Sequence, residues 1–199
     1  MGFTEYVAKQ FGEPKGFGGK VSTFIMNRLN QPMYRAVLNE IDNNKKVLDI
    51  GFGNGYMLRK LLKAKQSQFF GIDISGDMVK TATRKSKLAI KKGNLKLAKA
   101  SVDEIPFDEK FDQIYTINTI YFWNDLEKGL REIYDKLNTN GEFLNVCYTK
   151  EYLNKIRYTK YGFNKYTEQD LLTATQSVGF NAELIPIQKD KSFFIRAEK

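Results

Sequence analysis

The sequence predicts an α/β fold: an open, mostly parallel sheet of seven strands with helices on both faces, its last strand antiparallel in a C-terminal hairpin. Two observations carry this. Short apolar runs of strand length alternate with stretches of helical period through about residue 150, the pattern of a parallel sheet built from crossover units. The last two strand-like runs are separated only by Lys189 and Asp190, which makes them a hairpin.

The elements follow in order. "KKVLDIGF" (45–52) reads as a buried parallel strand, and "GYMLRKLLKAK" (55–65) as a helix carrying Met57, Leu58, Leu61 and Leu62 on one face. "QFFGIDI" (68–74) is the second strand. "SGDMVKTATRKSKLAIKK" (75–92) is read as one helix, capped by Ser75, with Val79, Ala82, Ser86, Ala89 and Ile90 on a narrow apolar face. Strands follow at 94–100, 110–118 and 141–149, with a helix at 125–137 between the last two. A helix at 167–179 ends on a glycine, and strands at 181–188 and 191–198 close the chain. The organisation expected is a single domain over 1–199, with an N-terminal helical lid segment over 1–42 and a ligand-binding core over 43–199.

Composition narrows the chemistry. The chain has 199 residues, 42% of them hydrophobic, with 32 Lys and Arg against 23 Asp and Glu, a formal net charge of +9. It has one cysteine, Cys147, so no intrachain disulfide framework exists. Cys147 sits mid-strand and reads as a small buried hydrophobe rather than a nucleophile. There is no histidine, which removes the commonest metal ligand and the commonest general base together; no metal is expected. The N-terminus lacks an apolar signal core and no run is long enough to span a membrane, so a cytoplasmic protein without a membrane partner is the expectation.

"VLDIGFGNG" (47–55) marks the expected ligand site. In such a sheet, ligands bind beyond the C-terminal ends of the strands, at the switch point. Gly51, Phe52, Gly53, Asn54 and Gly55 form the turn leaving the first strand, where missing side chains let backbone approach a ligand. The spacing is GxGxG, not the GxGxxG of dinucleotide sites, and the lysine of a phosphate-binding loop is absent. Asp49 stands two residues before the first glycine. A carboxylate there repels a pyrophosphate and suits an ammonium, although a turn aspartate also commonly serves its own backbone. A ligand with an amino-acid end and a nucleoside end satisfies both features.

With this turn, three further stretches resemble the class I S-adenosylmethionine-dependent methyltransferases, in particular the small-molecule enzymes similar to those of ubiquinone and menaquinone biosynthesis. They are "GIDIS" (71–75), "ASVDEIPF" (100–107) and "FDQIYTINTIYFWND" (111–125), and the resemblance runs from about residue 45 to the end. It implies a Rossmann-like core and S-adenosyl-L-methionine as cofactor. Asp73 would bind the ribose diol, Ile74 would lie along ribose and adenine, and Met78 would cover an adenine face. Val102 would offer its backbone N–H to adenine, and Asn118 would join the cofactor set. Where the family has an aspartate for the adenine amino group, this chain has Ser101. Its hydroxyl accepts one hydrogen bond, and Asp103 stands close enough in sequence to substitute.

A sulfonium methyl is already activated, so methyl transfer is an in-line displacement in which protein mainly orients and excludes water. If the acceptor must lose a proton, tyrosine, carboxylate and lysine are the bases left; Tyr121 is the catalytic candidate. Tyr121 and Trp123 are expected to line a small-molecule acceptor pocket. Similar methyltransferases use the segment before the first strand as a lid, which places Phe17, Met26 and Tyr34 near the acceptor and makes "GFGG" (16–19) its hinge. Lys80, Arg84, Lys87 and Lys91 share one face of the helix over 75–92. A solvated outer face is preferred to a nucleic-acid footprint, since that helix flanks the sheet. The protein is expected to act as a monomer or homodimer on a small acceptor; a nucleic-acid methyltransferase and a cofactor-binding protein without catalysis are the rival readings.

Overall fold

The computed structural model describes residues 28–199. One sheet carries seven strands: β1 (Lys46–Ile50), β2 (Gln68–Asp73), β3 (Leu95–Lys99), β4 (Phe111–Ile117), β5 (Leu137–Tyr148), β6 (Asn181–Gln188) and β7 (Ser192–Glu198). Their order is β3-β2-β1-β4-β5-β7-β6. β7 runs antiparallel to both β5 and β6, and the remaining pairings are parallel. The chain therefore reverses its direction of growth between β1 and β4, and the crevice at their C-terminal ends is the switch point.

Helices cover both faces. They are α1 (Gln31–Glu40), α2 (Tyr56–Ala64), α3 (Gly76–Lys85), α4 (Lys87–Lys91), α5 (Leu126–Lys136), α6 (Lys150–Lys155) and α7 (Glu168–Ser177). Alternation along the strands divides the core in two. Val47, Phe69 and Tyr115 pack with Met33, Val37 and Ile41 around α1 and with Met57, Leu58 and Leu61 of α2. Leu48, Phe70 and Ile114 face the other way, onto Leu130 and Ile133 of α5 and Leu171 of α7. Successive strand residues point to opposite faces, so Asp49 shares the α1 side with Val47.

Five expectations are corrected. The helix read over 75–92 is two helices, broken at Ser86 (φ −120°), whose N–H bonds to both Ala82 O and Thr83 O. Lys80, Arg84, Lys87 and Lys91 are all exposed but do not share one continuous helix face. Serine is no strong breaker, so periodicity ran across the joint. β5 begins at Leu137, not 141, because Leu137 pairs with Phe111 despite the turn-like "NTN" that follows. α6 and a short 3-10 turn at Arg157–Lys160 occupy a stretch in which no element was expected. Thr149 caps α6 by accepting from the Tyr152 N–H at 3.1 Å. The hairpin loop between β6 and β7 spans 189–191, with Asp190 in the left-handed region at φ 55°.

Candidate cofactor and acceptor site

The glycine turn leaves β1 at the switch point. The Gly51 N–H donates to Ile72 O at 2.8 Å, tying the turn to β2. Gly51 has φ +76°, and a Cβ there would lie 2.3 Å from Thr119 Cγ2, so conformation and space both demand glycine. Gly53 is different. Its φ is +55°, yet an added Cβ would meet no atom of the described residues within 4 Å. The turn thus presents bare backbone to open space. The Gly53 N–H points back to Asp73 Oδ2 at 2.7 Å, and Asp73 Oδ1 accepts from the Ser75 N–H at 2.8 Å. Asn54 Oδ1 accepts from the Tyr56 N–H at 3.0 Å, and Arg59 Nη1 donates to Asn54 O at 2.8 Å, which fixes the entry to α2 after Gly55. Phe52 turns its ring inward over Gly71, where a Cβ would come within 2.7 Å of Phe52 Cδ1. Its side chain is core, and only its backbone is left for a ligand.

Asp49 is 3% exposed and stands in register with Gly71 of β2 and Tyr115 of β4. The Tyr115 hydroxyl donates to Asp49 Oδ2 at 2.7 Å. Burial pushes the Asp49 carboxyl up to about 8, with Asp73 adding to the rise and the Tyr115 hydrogen bond opposing it. Without a cation beside it, burial thus favours the protonated form of Asp49 over the standing carboxylate read from sequence. Tyr115 was missed in the sequence. A tyrosine inside the apolar run "FDQIYTI" was the available signal, since a buried phenol needs a partner.

The residues expected around ribose and adenine cluster after β2 and β3. Ile74 is 45% exposed beside Asp73, open to a ligand. Ser75 caps α3 by accepting from the Met78 N–H at 3.4 Å. Met78 is buried but belongs to neither core cluster. Ser101 Oγ donates to Asp103 Oδ2 at 3.1 Å, and Asp103 Oδ1 is buried with no partner. An acceptor atom in that state matches the exocyclic amino group of an adenine. The Val102 side chain packs in the core, again leaving backbone only.

At the ends of β4 and β5 lies a narrow cavity of about 40 Å³, with Asn118, Tyr121, Phe122, Tyr148, Tyr158 and Phe163 among its lining residues. Asn118 has φ 59°, a conformation asparagine tolerates, and its amide donates to Asn30 Oδ1 at 3.1 Å. The Tyr121 hydroxyl donates toward Asn118 Oδ1 at 3.1 Å and Tyr148 O at 3.3 Å and accepts from the Tyr148 N–H at 2.6 Å. Burial pushes its pKa well above the ordinary value. A phenol so held is a poor general base, which counts against the catalytic role expected of Tyr121. Trp123 and Tyr34 do not line this cavity. The Trp123 indole packs over Gly129 and Val102 with its Nε1 donating to Thr119 Oγ1 at 3.3 Å. The Tyr34 ring packs on Tyr56, centroids 5.4 Å apart, in the α1 core. Phe17, Met26 and the "GFGG" hinge lie outside the described residues.

Known proteins agree with this fold. A methyltransferase-domain family model matches residues 47–141. The uncharacterized methyltransferase YdaC of Bacillus subtilis is 31% identical over 126 residues, 61% of this chain and 67% of that protein. The chain belongs to the class I S-adenosylmethionine-dependent methyltransferases. A ubiquinone/menaquinone biosynthesis C-methyltransferase of Rickettsia bellii is 32% identical over 151 residues, 71% of this chain and 60% of that one. A tRNA U34 carboxymethyltransferase of Campylobacter curvus is 35% identical over 109 residues, 53% of this chain and 36% of that one. The aligned stretches thus span about two thirds or less of these relatives. In fold, a SAM dependent methyltransferase from Aquifex aeolicus superposes with TM-score 0.72 at 21% identity over 99% of both chains.

As a methyltransferase, the chain has S-adenosylmethionine as its cofactor, and the residues at the switch point fit that group. The open face of Gly53 is space a Cβ would fill, and Asp103 Oδ1 is an orphaned acceptor. Among the described residues no cluster of His, Cys, Asp or Glu could hold a metal ion, and no helix is long and apolar enough to cross a membrane.

Proposed function

We propose that this methyltransferase delivers its methyl group to a small-molecule acceptor bound beyond the ends of β4 and β5. The observation that carries the reading is the lining of the cavity there. It is aromatic and apolar with Asn30, Asn118 and Thr159 for polarity, and among the described residues no charged side chain lines it. A phosphodiester acceptor asks for cations at the point of delivery. The exposed cations Lys80, Arg84, Lys87 and Lys91 instead sit on α3 and α4, which pack along β2 and β3.

When bound, the cofactor supplies an activated sulfonium methyl for in-line displacement. The chain's own work is orientation and exclusion of water. Asp49 takes the ammonium of the amino-acid end, and Asp73 takes the ribose diol in charge-assisted hydrogen bonds. Ile74 and Met78 flank the adenine, with Ser101, Val102 and Asp103 at its edge. Tyr121 holds Asn118 and the start of the Tyr148 segment in place, as a fixed donor in the acceptor cavity.

A nucleic-acid acceptor is the second reading, favoured by the net charge of +9 and by the relative named for tRNA. Purified protein incubated with methyl-tritiated cofactor and a cell extract separates them. Label in a low-mass, ribonuclease-resistant fraction is expected. Label lost on ribonuclease treatment transfers the assignment to RNA, and cofactor binding without label in any fraction leaves a binding protein only.

A further inference from the structure

We propose that Tyr115 is a positioning residue for the cofactor: its hydroxyl holds the Asp49 carboxyl at the glycine turn and couples binding of the cofactor's amino-acid end to release of a proton from Asp49. The inference rests on the reading of Asp49 as the ammonium partner.

Tyr115 and Asp49 are register partners across β1 and β4, on the sheet face covered by α1. The Tyr115 ring is wholly buried, and its hydroxyl reaches Asp49 Oδ2 at 2.7 Å. Phenylalanine would fill nearly the same space, so packing alone does not call for the hydroxyl. A buried phenol is retained at a cost unless its polar atom is used.

Among the described residues, the titratable groups that face Asp49 are Tyr115 on β4, Asp73 on β2 and Tyr34 on α1. All are acids or phenols, and none carries the positive charge that would offset the burial of a carboxylate. Asp49 therefore keeps its proton until a cation arrives, in keeping with a pKa pushed up to about 8. When the ammonium docks, the Asp49 O–H bond breaks, the proton goes to solvent, and the carboxylate so formed pairs with the ammonium. The Tyr115 hydrogen bond favours the ionised form and lowers the cost of that step.

The sign follows. Below about pH 8 the free protein must give up a proton to bind, so affinity rises with pH and levels off near the Asp49 pKa. An α-amino group itself titrates near about 8, so the clean window lies below about pH 7.5.

Calorimetry on the full chain tests this with two probes. S-adenosylhomocysteine carries the amino-acid end, and 5′-methylthioadenosine lacks it. For the wild type, S-adenosylhomocysteine affinity should rise by nearly tenfold per pH unit between about pH 6 and 7.5, with about one proton released. Tyr115→Phe should weaken S-adenosylhomocysteine about tenfold at pH 7 and displace the rise to higher pH, as loss of a hydrogen bond to a charged group requires. Binding of 5′-methylthioadenosine should not change. A Tyr115→Phe profile like the wild type, or equal weakening of both probes, overturns the proposal. Asp49→Asn tells the two layers apart. If it binds S-adenosylhomocysteine as the wild type does, the ammonium assignment itself falls. If it loses that ligand while Tyr115→Phe behaves as wild type, the assignment stands and the role of Tyr115 falls.

Discussion

Asp73 of β2 and Gly53 of the glycine turn are joined by a hydrogen bond of 2.7 Å from the Gly53 N–H to Asp73 Oδ2, so the carboxylate proposed for the ribose also braces the turn below it. Its other oxygen accepts from the Ser75 N–H at the start of α3. One side chain thus organises both walls of the crevice proposed for the cofactor before any ligand arrives. That arrangement is preorganisation, which lowers the ordering cost of binding.

Substitution at Asp73 should therefore affect stability as well as affinity. Asp73→Ala leaves the Gly53 and Ser75 donors without this acceptor and should destabilise the protein by about 2 kcal/mol. Asp73→Asn keeps one acceptor and should lose less. Both should lose at least about tenfold in cofactor affinity, since an amide cannot replace a charge-assisted contact to the ribose diol. Urea unfolding and calorimetry on the two variants check this; wild-type affinity in Asp73→Asn would remove the ribose role.

Gly53 is the sharper probe of where the cofactor lies. Its positive φ makes a β-branched substitution strained, so valine would confuse folding with binding. Asparagine tolerates the left-handed region, and no described residue comes within 4 Å of a Cβ at Gly53, so Gly53→Asn should cost about 1 kcal/mol or less in stability. It should nevertheless abolish cofactor binding, because its side chain enters the space assigned to the ligand. A folded Gly53→Asn protein with unchanged affinity would move the cofactor off the turn.

At the adenine edge, Asp103 and Ser101 should be unequal. Asp103 Oδ1 is the buried acceptor without a partner, whereas Ser101 Oγ is spent on Asp103 Oδ2. Asp103→Ala should weaken 5′-methylthioadenosine about tenfold, and Ser101→Ala by a few-fold at most, through looser placement of Asp103. The reverse order would return the adenine contact to Ser101.

The fold was legible because its signals are local and agree with one another. Apolar runs such as "KKVLDIGF" and "QFFGIDI" are too short for helices, and the spacing of Lys189 and Asp190 dictates the terminal hairpin. The glycine turn was legible for the same reason, since Gly51 and Gly53 both have positive φ. What escaped was tertiary. Ser86 breaks a helix whose apolar period continues through it. Leu137 joins β5 because Phe111 pairs with it, a partner 26 residues away in sequence. The inward turn of Phe52 and the burial of Trp123 depend on Gly71 and Gly129 in other elements, and no window around either aromatic contains that information. Tyr115 escaped because its hydrogen-bond partner lies on β1, 66 residues away in the chain.

The burial of Asp49 has a consequence for the cofactor-free protein that runs opposite to its role in binding. Its folded pKa, pushed up to about 8, lies above an ordinary aspartate value of about 3.9 in the unfolded chain. The folded state therefore holds this proton more tightly than the unfolded state. The stability it contributes is fully present below about pH 4 and is lost as pH rises through about 8. Asp49→Asn cannot titrate, and its amide oxygen still accepts from the Tyr115 hydroxyl. The melting temperature of Asp49→Asn relative to wild type should thus climb between about pH 4 and 8 and then level off. Saturating S-adenosylhomocysteine should reverse the order near neutral pH, because only the wild type gains from the ligand. Thermal melts of both proteins across that pH range, with and without the ligand, decide it. A difference that stays constant with pH would mean that Asp49 is ionised in the free protein and that a standing carboxylate, not a proton-linked one, awaits the ammonium.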